Sequence, residues 1–517
     1  MGLFTTKYGS RIAGILSGFD RLIFRGTLRQ LSHANGLEGY LKWAGILLKD
    51  FREGAWRVSD EVKKAAIMKI CETERPVIHL RSSKTDKLDQ ARKIMAADGI
   101  KQGPVVMFTC VELCYSFELM KDEKSGKLRL TPARRKCLFL YRYDMHPEFG
   151  LMHMRLQTWF PFQIQVYING RQWLARQMDK AGLEYKKCEN CFVWLQDAQR
   201  TQALADAQLK TAWPETLAKC VEEIHPLHRE RFGVYRYYWS LDESEYATDI
   251  MFHDPGFLQS MYPQWIQHGI TTLRSPDVMR FLASREKIDG RFQGQIISDV
   301  KARSEGVRIK HRIDRNSIKA YDKYGLLRIE PTIIQTRLYK VYRRLEGQPG
   351  SPFAWRRMRK GVADIHRRAQ VSLAATQRYL DALASVEEST PVRELTDKLC
   401  RRIQWKGKTV RAIKPFSHED QNLLKAISDG KFTINGFRNR DIRHILYGMD
   451  SSDSMLTKRR SGQITRQIRM LRAHGLIQKK PGTHRYDLTP KGRQIATTLI
   501  TMNEISLKKI SEMVKAA

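Results

Sequence analysis

The sequence contains no long apolar segment. No stretch of its 517 residues approaches the roughly 18 apolar residues that a helix needs to cross a bilayer. Residues 1–19 lack the apolar core and the small-residue cleavage site of a secretory signal peptide. We therefore expect a cytoplasmic protein with no membrane partner.

Cysteine is also scarce. The eight cysteines are too few and too irregularly spaced to cross-link a chain of this length, so we expect reduced thiols. Cys188 and Cys191 form a single C-x-x-C pair, with Cys220, His225 and His228 downstream. Two interpretations stay open: a zinc site that includes this pair, and ordinary thiols without a metal.

Two phosphate-binding signatures are missing. Neither a G-x-x-x-x-G-K-[S/T] loop nor a G-x-G-x-x-G turn occurs in the chain. Many ATPases and dinucleotide-dependent enzymes hold their cofactors with such glycine-rich loops. The sequence thus predicts no nucleotide cofactor.

Acidic residues are few relative to basic ones. The chain has 91 Lys and Arg against 55 Asp and Glu, a formal charge of +36, and the excess is spread along its length. A protein this basic needs a polyanionic partner, and nucleic acid is the usual one. We expect DNA, with RNA as the alternative, and a location at the nucleoid of a bacterial cell.

Composition and turn residues divide the chain into four regions. The predicted fold class is α+β, with a basic, mainly antiparallel β-sheet as its body. The regions are a mixed α/β segment at 1–104, a β-rich α+β body at 105–345, a basic helical connector at 346–415 and a C-terminal unit at 416–517. In the connector a helix is predicted over 363–386.

Short segments rich in β-branched and aromatic residues follow Pro104. Turn residues separate them, which is typical of an antiparallel meander. We predict strands over 105–119, 127–131, 136–143, 151–160 and 162–168. A helix over 171–182, a strand over 234–252 with an acidic break, and a second β region at 291–345 follow.

The sequence of the C-terminal unit predicts a definite order of helices and strands. Helices are predicted over 418–430, 437–448 and 461–475, then a β-hairpin over 476–489 and a last helix from Pro490. In the third helix Ile464, Ile468 and Leu471 recur at helical spacing and form one apolar stripe. This order of elements predicts a winged helix-turn-helix.

The segment LRAHGLIQKKPGTHRYDLTPKGRQIATTL (471–499) resembles the winged-helix domains of MarR- and ArsR-type bacterial regulators. The resemblance covers about 100 of the 517 residues and implies that the third helix reads the major groove of DNA. The implied groove-facing residues are Gln463, Thr465, Arg466 and Arg469, and the implied wing residues are Lys479, Lys480, His484 and Arg485. Contact with a protein partner is the alternative role.

The segment 306–333 is the most unusual part of the body. Residues 301–344 carry 13 Lys and Arg against 4 acids, and two alternating stretches flank a turn at 322–325. The expected phosphate ligands are Lys310, Arg312, Arg315, Lys319 and Lys323. Alternation places Lys319, Tyr321 and Lys323 on one face of a strand.

The same hairpin carries candidate catalytic groups. Asp322, Glu330 and His311 offer oxygen and nitrogen ligands, which predicts a site for Mg²⁺ or Mn²⁺. Tyr321 and Tyr324 are candidate covalent nucleophiles. The alternative is a basic β-surface that binds phosphates without reacting.

The phrase NSIKAYDK…LRIE (316–330) resembles strands of some rolling-circle replication initiators. Those proteins nick one DNA strand with a tyrosine and a metal ion. The resemblance covers about 15 residues, and it implies that Glu330 is a metal-site residue.

A further acidic segment precedes this hairpin. On a strand, Glu245, Asp249 and His253 share one face, as an oxygen-rich metal site needs, and they would meet Glu330 in space. The alternative is a solvated strand edge. The predicted function is nucleic-acid binding, with DNA bound by the winged helix and nicked or transferred by a metal-dependent body, as in a replication initiator or mobile-element protein. A non-catalytic transcriptional regulator or an RNA-binding ribonucleoprotein component is the alternative.

Overall fold

The computed structural model describes residues 2–123, 126–271, 273, 275–282, 295–304, 306–345, 347–384, 396–429, 432, 436–448, 453–480 and 482–504. Within these ranges the fold is α+β. The strands are β1 (Ile12–Leu28), β2 (Val77–Leu80), β3 (Gly103–Lys121), β4 (Leu128–His146), β5 (Gly150–Gln157), β6 (Ile164–Asn169), β7 (Tyr185–Cys188), β8 (Cys191–Leu195), β9 (Tyr237–Phe252), β10 (Ile296–Arg303), β11 (Gly306–Ile313), β12 (Asn316–Lys323), β13 (Leu326–Ile333), β14 (Lys340–Arg343), β15 (Ala354–Arg357), β16 (Ile403–Trp405), β17 (Lys408–Val410), β18 (Ile477–Lys479) and β19 (Tyr486–Leu488).

Fifteen α-helices are present in the same ranges. They are α1 (Leu3–Tyr8), α2 (Ala34–Trp43), α3 (Phe51–Cys71), α4 (Lys87–Ala97), α5 (Gly170–Lys180), α6 (Ala198–Ala207), α7 (Trp213–Ile224), α8 (His228–Phe232), α9 (Pro255–Thr271), α10 (Ser275–Phe281), α11 (Ile365–Leu383), α12 (His418–Ile427), α13 (Asn439–Tyr447), α14 (Ser454–Ala473) and α15 (Pro490–Glu504). None of the helices in the described part of the chain is long and apolar enough to cross a membrane.

An eleven-stranded sheet forms the body, in the order β10-β11-β12-β13-β9-β1-β6-β5-β4-β3-β2. Every pairing in it is antiparallel except that of β2 with β3, which is parallel. The prediction of a mainly antiparallel sheet is confirmed. The strand β1 pairs with β6 on one side and with β9 on the other. Regions 1–104 and 105–345 therefore share one sheet.

Two strands run further than their sequence pattern indicates. A single strand, β4, replaces the two predicted over 127–131 and 136–143, so the meander has four strands rather than five. The strand β9 passes through its acidic residues without a break. Because cations on neighbouring strands pair with several of these carboxylates, the acidic stretch remains in the sheet.

The connector helix belongs to the core of the body. Along α11, Val371, Tyr379 and Leu383 are buried in a cluster that also contains residues of β9 and β13. The guanidinium of Arg368 is buried as well and donates to the carbonyl oxygen of Leu241. The helix α11, which lies within the segment predicted as helical over 363–386, thus packs on the sheet through its apolar face. Positions 385 and 386 of that prediction lie outside the described residues.

The C-terminal elements follow the predicted order of three helices, a hairpin and a helix. The apolar stripe of α14 is confirmed, because Ile464, Ile468 and Leu471 are all buried. This helix begins at Ser454, seven residues earlier than predicted, because Asp453 caps it by accepting from the backbone N–H of Met455 at 2.8 Å. Within the hairpin predicted over 476–489, Pro481 lies outside the described residues.

Candidate functional site

Charged side chains gather at the middle of the large sheet. They come from β1, α5, β9, β12 and β13, and we call them the central charged cluster. Its members are Asp20, Arg21, Arg171, Glu243, Glu245, Asp249, Lys319, Arg328 and Glu330. Five carboxyl groups thus meet four cations, so one bound proton makes the cluster electrically neutral.

Arg328 lies at the centre of this cluster and is fully buried. Its Nη2 is 2.6 Å from Asp20 Oδ2, its Nη1 is 2.9 Å from Asp249 Oδ1, and its Nε is 2.6 Å from Glu330 Oε1. Burial alone lowers the pKa of Arg328, but the carboxylates of Asp249, Asp20 and Glu330 outweigh it and hold the pKa well above its ordinary value. The guanidinium is therefore a permanent charge.

Strand register explains how these side chains meet. Arg328 pairs with Asp249 across β13 and β9, and Glu330 pairs with Lys319 across β13 and β12. Residues two apart on a strand face the same way, so these side chains share one face of the sheet. Asp20 joins them at an irregularity in the pairing of β1 with β9, between Phe19 and Arg21.

Glu245 and Glu330 form a hydrogen-bonded carboxyl pair. Burial, and then the charge of Glu330, raises the pKa of Glu245 to about 7. Burial also acts to raise the pKa of Glu330, but Lys319 and Arg328 outweigh it and lower that pKa. Glu245 is thus the protonated member and donates to the Glu330 carboxylate. A pair whose pKa values are driven apart can hold and release a proton near neutral pH.

Lys319 and Tyr321 lie at the solvent side of this pair. Lys319 donates to Glu245, and its Nζ is 3.3 Å from Glu330 Oε2. Burial lowers the pKa of Lys319, and the two glutamates more than reverse the effect, so the ammonium stays charged. Tyr321 is half-buried, and burial followed by the charge of Glu330 raises its pKa. The predicted sharing of one face by Lys319 and Tyr321 is confirmed.

Basic residues continue from Tyr321 toward the edge of the sheet. Lys310 lies opposite Lys319, and Arg308 lies opposite Tyr321. Burial, and then the charges of Lys319 and Arg308, lowers the pKa of Lys310. Arg312 continues the same face, where its Nη2 is 3.2 Å from Gln295 Oε1. An anion at this face would relieve the mutual repulsion of the cations.

The residues expected to hold Mg²⁺ or Mn²⁺ do not meet. Asp322 and His311 lie on the face of the sheet opposite Glu330. Asp322 accepts from the backbone N–H of Val307 at 2.9 Å. The ring nitrogens of His311 contact Ser298 Oγ at 2.7 Å and Tyr379 Oη at 3.0 Å. Within the described residues no group of three or more His, Cys, Asp and Glu side chains is placed to share an ion.

Other predicted hairpin residues lie at its ends. Tyr324 and Gly325 form the two-residue turn between β12 and β13, both with positive φ, as a tight hairpin requires. Tyr324 is exposed and hydrogen-bonds with Glu189, which also lies 3.0 Å from Lys323 Nζ. Arg315 is exposed at the opposite turn.

Two further predicted groups of ligands, the acidic segment of β9 and the C-x-x-C pair, are only partly brought together in the structure. Glu245 and Asp249 do meet Glu330, as the alternation of the strand indicates, whereas His253 is exposed beyond the end of β9. Cys191 is buried with its sulfur 3.2 Å from Arg328 Nη1, and Cys188 is exposed.

The downstream histidines are used elsewhere. His225 Nδ1 lies 3.0 Å from Tyr237 Oη, and His228 Nε2 lies 2.9 Å from the carbonyl oxygen of Tyr235. Cys220 is buried in α7. A zinc set built from the C-x-x-C pair and these residues does not assemble in the described part of the chain.

A second charged feature lies in the C-terminal unit. The helical repeat places Lys458, Arg459, Arg466 and Arg469 on one face of α14, with Thr465 among them. We call these four cations, together with Lys479 of β18, the basic face. Among the described residues, no carboxylate oxygen lies within 4.0 Å of any of the five cations. The basic face is therefore an unneutralised positive surface.

Of the other residues expected at the groove and the wing, some have partners within the protein and one is exposed. Gln463 lies beside the basic face with its Nε2 3.4 Å from Glu419 Oε1, and the Oγ1 of Thr465 accepts from Asn439. His484 is exposed on the hairpin. Lys480 Nζ is 3.3 Å from Asp487 Oδ2.

Arg485 is placed differently from its neighbours on the hairpin. It is only 7% exposed, its guanidinium lies 4.1 Å from the ring centre of Tyr342, and its Nη1 donates to the carbonyl oxygen of Gly436. The expected contact of Arg485 with nucleic acid is not supported by this placement, because its cation is already stacked on an aromatic ring.

Sequence reasoning missed several members of the central charged cluster. Asp20 lies 308 residues from Arg328 in the chain, and Arg171 opens a helix with no distinctive neighbours. Arg328 itself sits between apolar residues of a basic stretch, where it is indistinguishable from a phosphate ligand. One signal in the sequence could have found them: a charged residue with apolar residues on both sides in a strand is often buried and paired with an opposite charge.

Comparison of the chain with protein families, with curated proteins and with solved structures finds no match. Function must be inferred from the geometry of the chain itself.

Proposed function

We propose that this protein binds DNA through the basic face of its C-terminal unit. The observation that carries the proposal is that five cations on one helix and its hairpin have no carboxylate partner in the described structure. Such a surface gains free energy by releasing counterions from a phosphate backbone. The formal charge of +36 adds a long-range attraction for the same partner.

The order of elements supports a winged-helix assignment for this unit. Three helices precede the hairpin β18–β19, and Phe437 forms an isolated antiparallel bridge with Tyr486 of this hairpin. In a winged helix the third helix enters the major groove, so α14 is the element we assign to that position. The hairpin then lies beside the DNA backbone with Lys479 and His484 exposed.

Salt-dependent binding tests this proposal. A triple variant, Lys458→Ala with Arg459→Ala and Arg466→Ala, would be compared with the natural chain by fluorescence anisotropy on labelled duplex DNA. We expect Kd to rise by at least about tenfold and the salt slope to fall by up to about three, one unit per lost phosphate contact.

The matched control removes three cations from the body. Lys42→Ala with Lys49→Ala and Arg52→Ala changes the net charge equally at exposed positions. Equal losses of affinity in both triple variants would show that the overall charge, rather than the basic face, binds the DNA.

A second candidate function is strand nicking at the central charged cluster. The observation in its favour is a tyrosine beside a carboxyl group whose pKa is about 7. Glu245 is therefore able to act as a general base at neutral pH. Lys310 and Arg312 extend the same face of the sheet with positive charge, which suits a phosphodiester.

The proposed step transfers a phosphoryl group from DNA to the protein. Tyr321 Oη attacks the phosphorus, its proton passes to the Glu245 carboxylate, and the bond from phosphorus to one deoxyribose oxygen breaks. The leaving oxygen takes a proton from water. Tyr321 and Glu245 are the side chains that carry this step.

Covalent trapping tests the nicking hypothesis. Labelled single-stranded DNA would be incubated with the protein, with Mg²⁺, with Mn²⁺ or with EDTA, and adducts would be detected on a denaturing gel. We expect an adduct that Tyr321→Phe abolishes and that Tyr324→Phe retains, because Tyr324 lies in the exposed turn. The rate should rise with pH through about 7 as Glu245 loses its proton. Unchanged adduct in Tyr321→Phe would contradict the assigned nucleophile.

A further inference from the structure

A pocket opens beside the basic face. It has a volume of about 340 Å³ and lies between α14, the first turn of α12 and the end of β17. Val410 and Met470 are buried and give it an apolar floor. Arg466 and Arg469 line it as well, so two cations of the basic face also belong to the pocket.

Glu419 fixes the amide groups in the pocket. Gln467 Nε2 donates to Glu419 Oε1 at 2.8 Å, and Gln463 Nε2 lies 3.4 Å from the same oxygen. A carboxylate only accepts hydrogen bonds, so the amide of Gln467 is held with its nitrogen toward Glu419. Gln467 is only 5% exposed, and its Oε1 has no hydrogen-bond partner. A buried acceptor of this kind is able to accept a hydrogen bond from a donor that enters the pocket.

These groups define the chemistry of the ligand. It must present N–H donors to Gln467 Oε1 and to the Glu419 carboxylate, and acceptor atoms to Arg466 and Arg469. Among the nucleobases, guanine combines neighbouring N–H donors at N1 and N2 with acceptors at O6 and N7. Its flat ring also suits an apolar floor.

We propose that this pocket binds an unpaired guanine base of a nucleic-acid strand. The proposal rests on the DNA binding proposed above, because the basic face must bring the strand to the pocket. Glu419 and Gln467 accept from the Watson–Crick edge, and Arg466 and Arg469 donate to O6, to N7 or to the adjoining phosphate. The base must be unpaired, because its N1–H is engaged in a duplex. A strand is favoured over a free nucleotide, since the two arginines continue directly into the basic face.

Duplexes with one bulged nucleotide test the proposal. Labelled DNA of one sequence would carry guanine, adenine, cytosine, thymine or hypoxanthine at the bulge, with the fully paired duplex as reference. We expect the guanine bulge to bind about tenfold more tightly than the thymine bulge, a difference in the range of one good bidentate base contact. Hypoxanthine lacks the N2 amino group and should lose much of this preference.

Variants of the full-length protein locate the effect. Glu419→Gln and Gln467→Met should abolish the guanine preference and keep the affinity for the paired duplex, whereas Glu72→Gln, at an exposed carboxylate after α3, should keep both. Retained preference in both pocket variants would overturn the assignment, as would a natural chain that binds the paired duplex but all bulges equally.

Two further outcomes separate the linked proposals. Failure to bind any DNA would overturn the proposed function and this inference together. Binding of free guanosine monophosphate as tightly as the guanine bulge would overturn the assignment to a strand, because the pocket would then be a nucleotide site.

Discussion

The guanidinium of Arg328 contacts carboxylates from two other strands and one from its own strand. Asp20, Asp249 and Glu330 all lie within 3 Å of it, and the carbonyl oxygen of Asn190 accepts from the same group at 2.8 Å. Three buried carboxylates would lose their common partner if this cation were removed. Removing one partner of a buried ion pair costs far more than the pair contributes when intact.

Arg328→Met should therefore destabilise the fold strongly. We expect the free energy of unfolding to fall by about 3–5 kcal/mol, measured by urea unfolding followed by circular dichroism. Arg25→Met is the matched control, because Arg25 forms a partly exposed ion pair with Asp242 and should cost at most about 1 kcal/mol. A similar small loss at Arg328 would show that the carboxylates find other partners.

Glu245 makes stability depend on pH. Burial and the charge of Glu330 raise its pKa from 4.5 to about 7, so the folded state retains a proton that the unfolded chain releases. This stabilisation is fully present below about pH 4.5 and is lost as the pH rises through about 7. Glu245→Gln should lack this fall, so the stability of the natural chain relative to the variant should decrease as the pH rises through about 7.

Urea midpoints between about pH 5 and pH 8 measure this effect, above the range in which the lowered pKa of Glu330 acts. Glu72→Gln again serves as an exposed control. A natural chain and a Glu245→Gln chain with parallel pH profiles would contradict the raised pKa.

Residues of the site were predictable where their signal is local. Lys319, Tyr321 and Glu330 alternate within one short hairpin, and their common face follows from the strand period alone. The partners Asp20 and Arg171 come from distant parts of the chain, and no local pattern marks them. The predicted set of Asp322, Glu330 and His311 does not come together for a different reason: Asp322 and His311 are near Glu330 in sequence but lie on the other face of the sheet.

The start of α5 packs against β1 without space for a side chain. A Cβ at Gly170 would lie 2.2 Å from the carbonyl oxygen of Phe19. The adjoining residues are Asn169, whose side chain caps α5, and Arg171, which is 3.3 Å from Asp249 Oδ2. This glycine thus sets the distance between the helix and the central charged cluster.

Gly170→Ala should destabilise the protein by about 1–3 kcal/mol, because backbone atoms must shift to admit the methyl group. Gly39→Ala in α2 meets no atom within 4 Å and should be neutral or stabilising by up to about 1 kcal/mol. Thermal unfolding of the two variants measures both effects. Equal melting temperatures would show that α5 moves away from β1 without cost.

Elements were easier to predict than their arrangement. The strands around 105–119, 151–160 and 162–168 follow from composition, and the C-terminal order of elements follows from periodicity and from breaks at glycine and proline. The joining of β4 into one strand could not be read, because continuous pairing with β3 overrides the local break. The pairing of β1 with β9 could not be predicted from the sequence either, since more than 200 residues separate the two strands.

The central and edge strands of the large sheet differ in how well their backbone amides are protected from solvent. The strand β1 pairs with β9 along its whole length and with β6 over residues 21–26, whereas β10 forms one edge of the sheet and is largely exposed. Backbone amides exchange with solvent at rates set by local opening, which is rarest in central strands.

Hydrogen exchange followed by mass spectrometry should rank the strands accordingly. Peptides from β1 and β9 should exchange slowest, and those from β10 fastest among the strands of the sheet. The ratio of the exchange rate of β10 to that of β1 should decrease in Arg328→Met, because the loss of the central guanidinium weakens the middle of the sheet rather than its edge. Exchange of β1 as fast as β10 in the natural chain would contradict this view of the sheet.

The place of β1 also bears on synthesis. The ribosome releases this strand before either of its partners, and β6 follows after a delay on the order of ten seconds at ordinary rates of translation. Once β6 has joined, the other side of β1 stays open until β9 emerges. A nascent chain that ends between these two strands carries an unpaired backbone edge with Leu22 and Phe24 beside it, and a second nascent chain can occupy that edge. The yield of native protein therefore depends on how soon β9 follows.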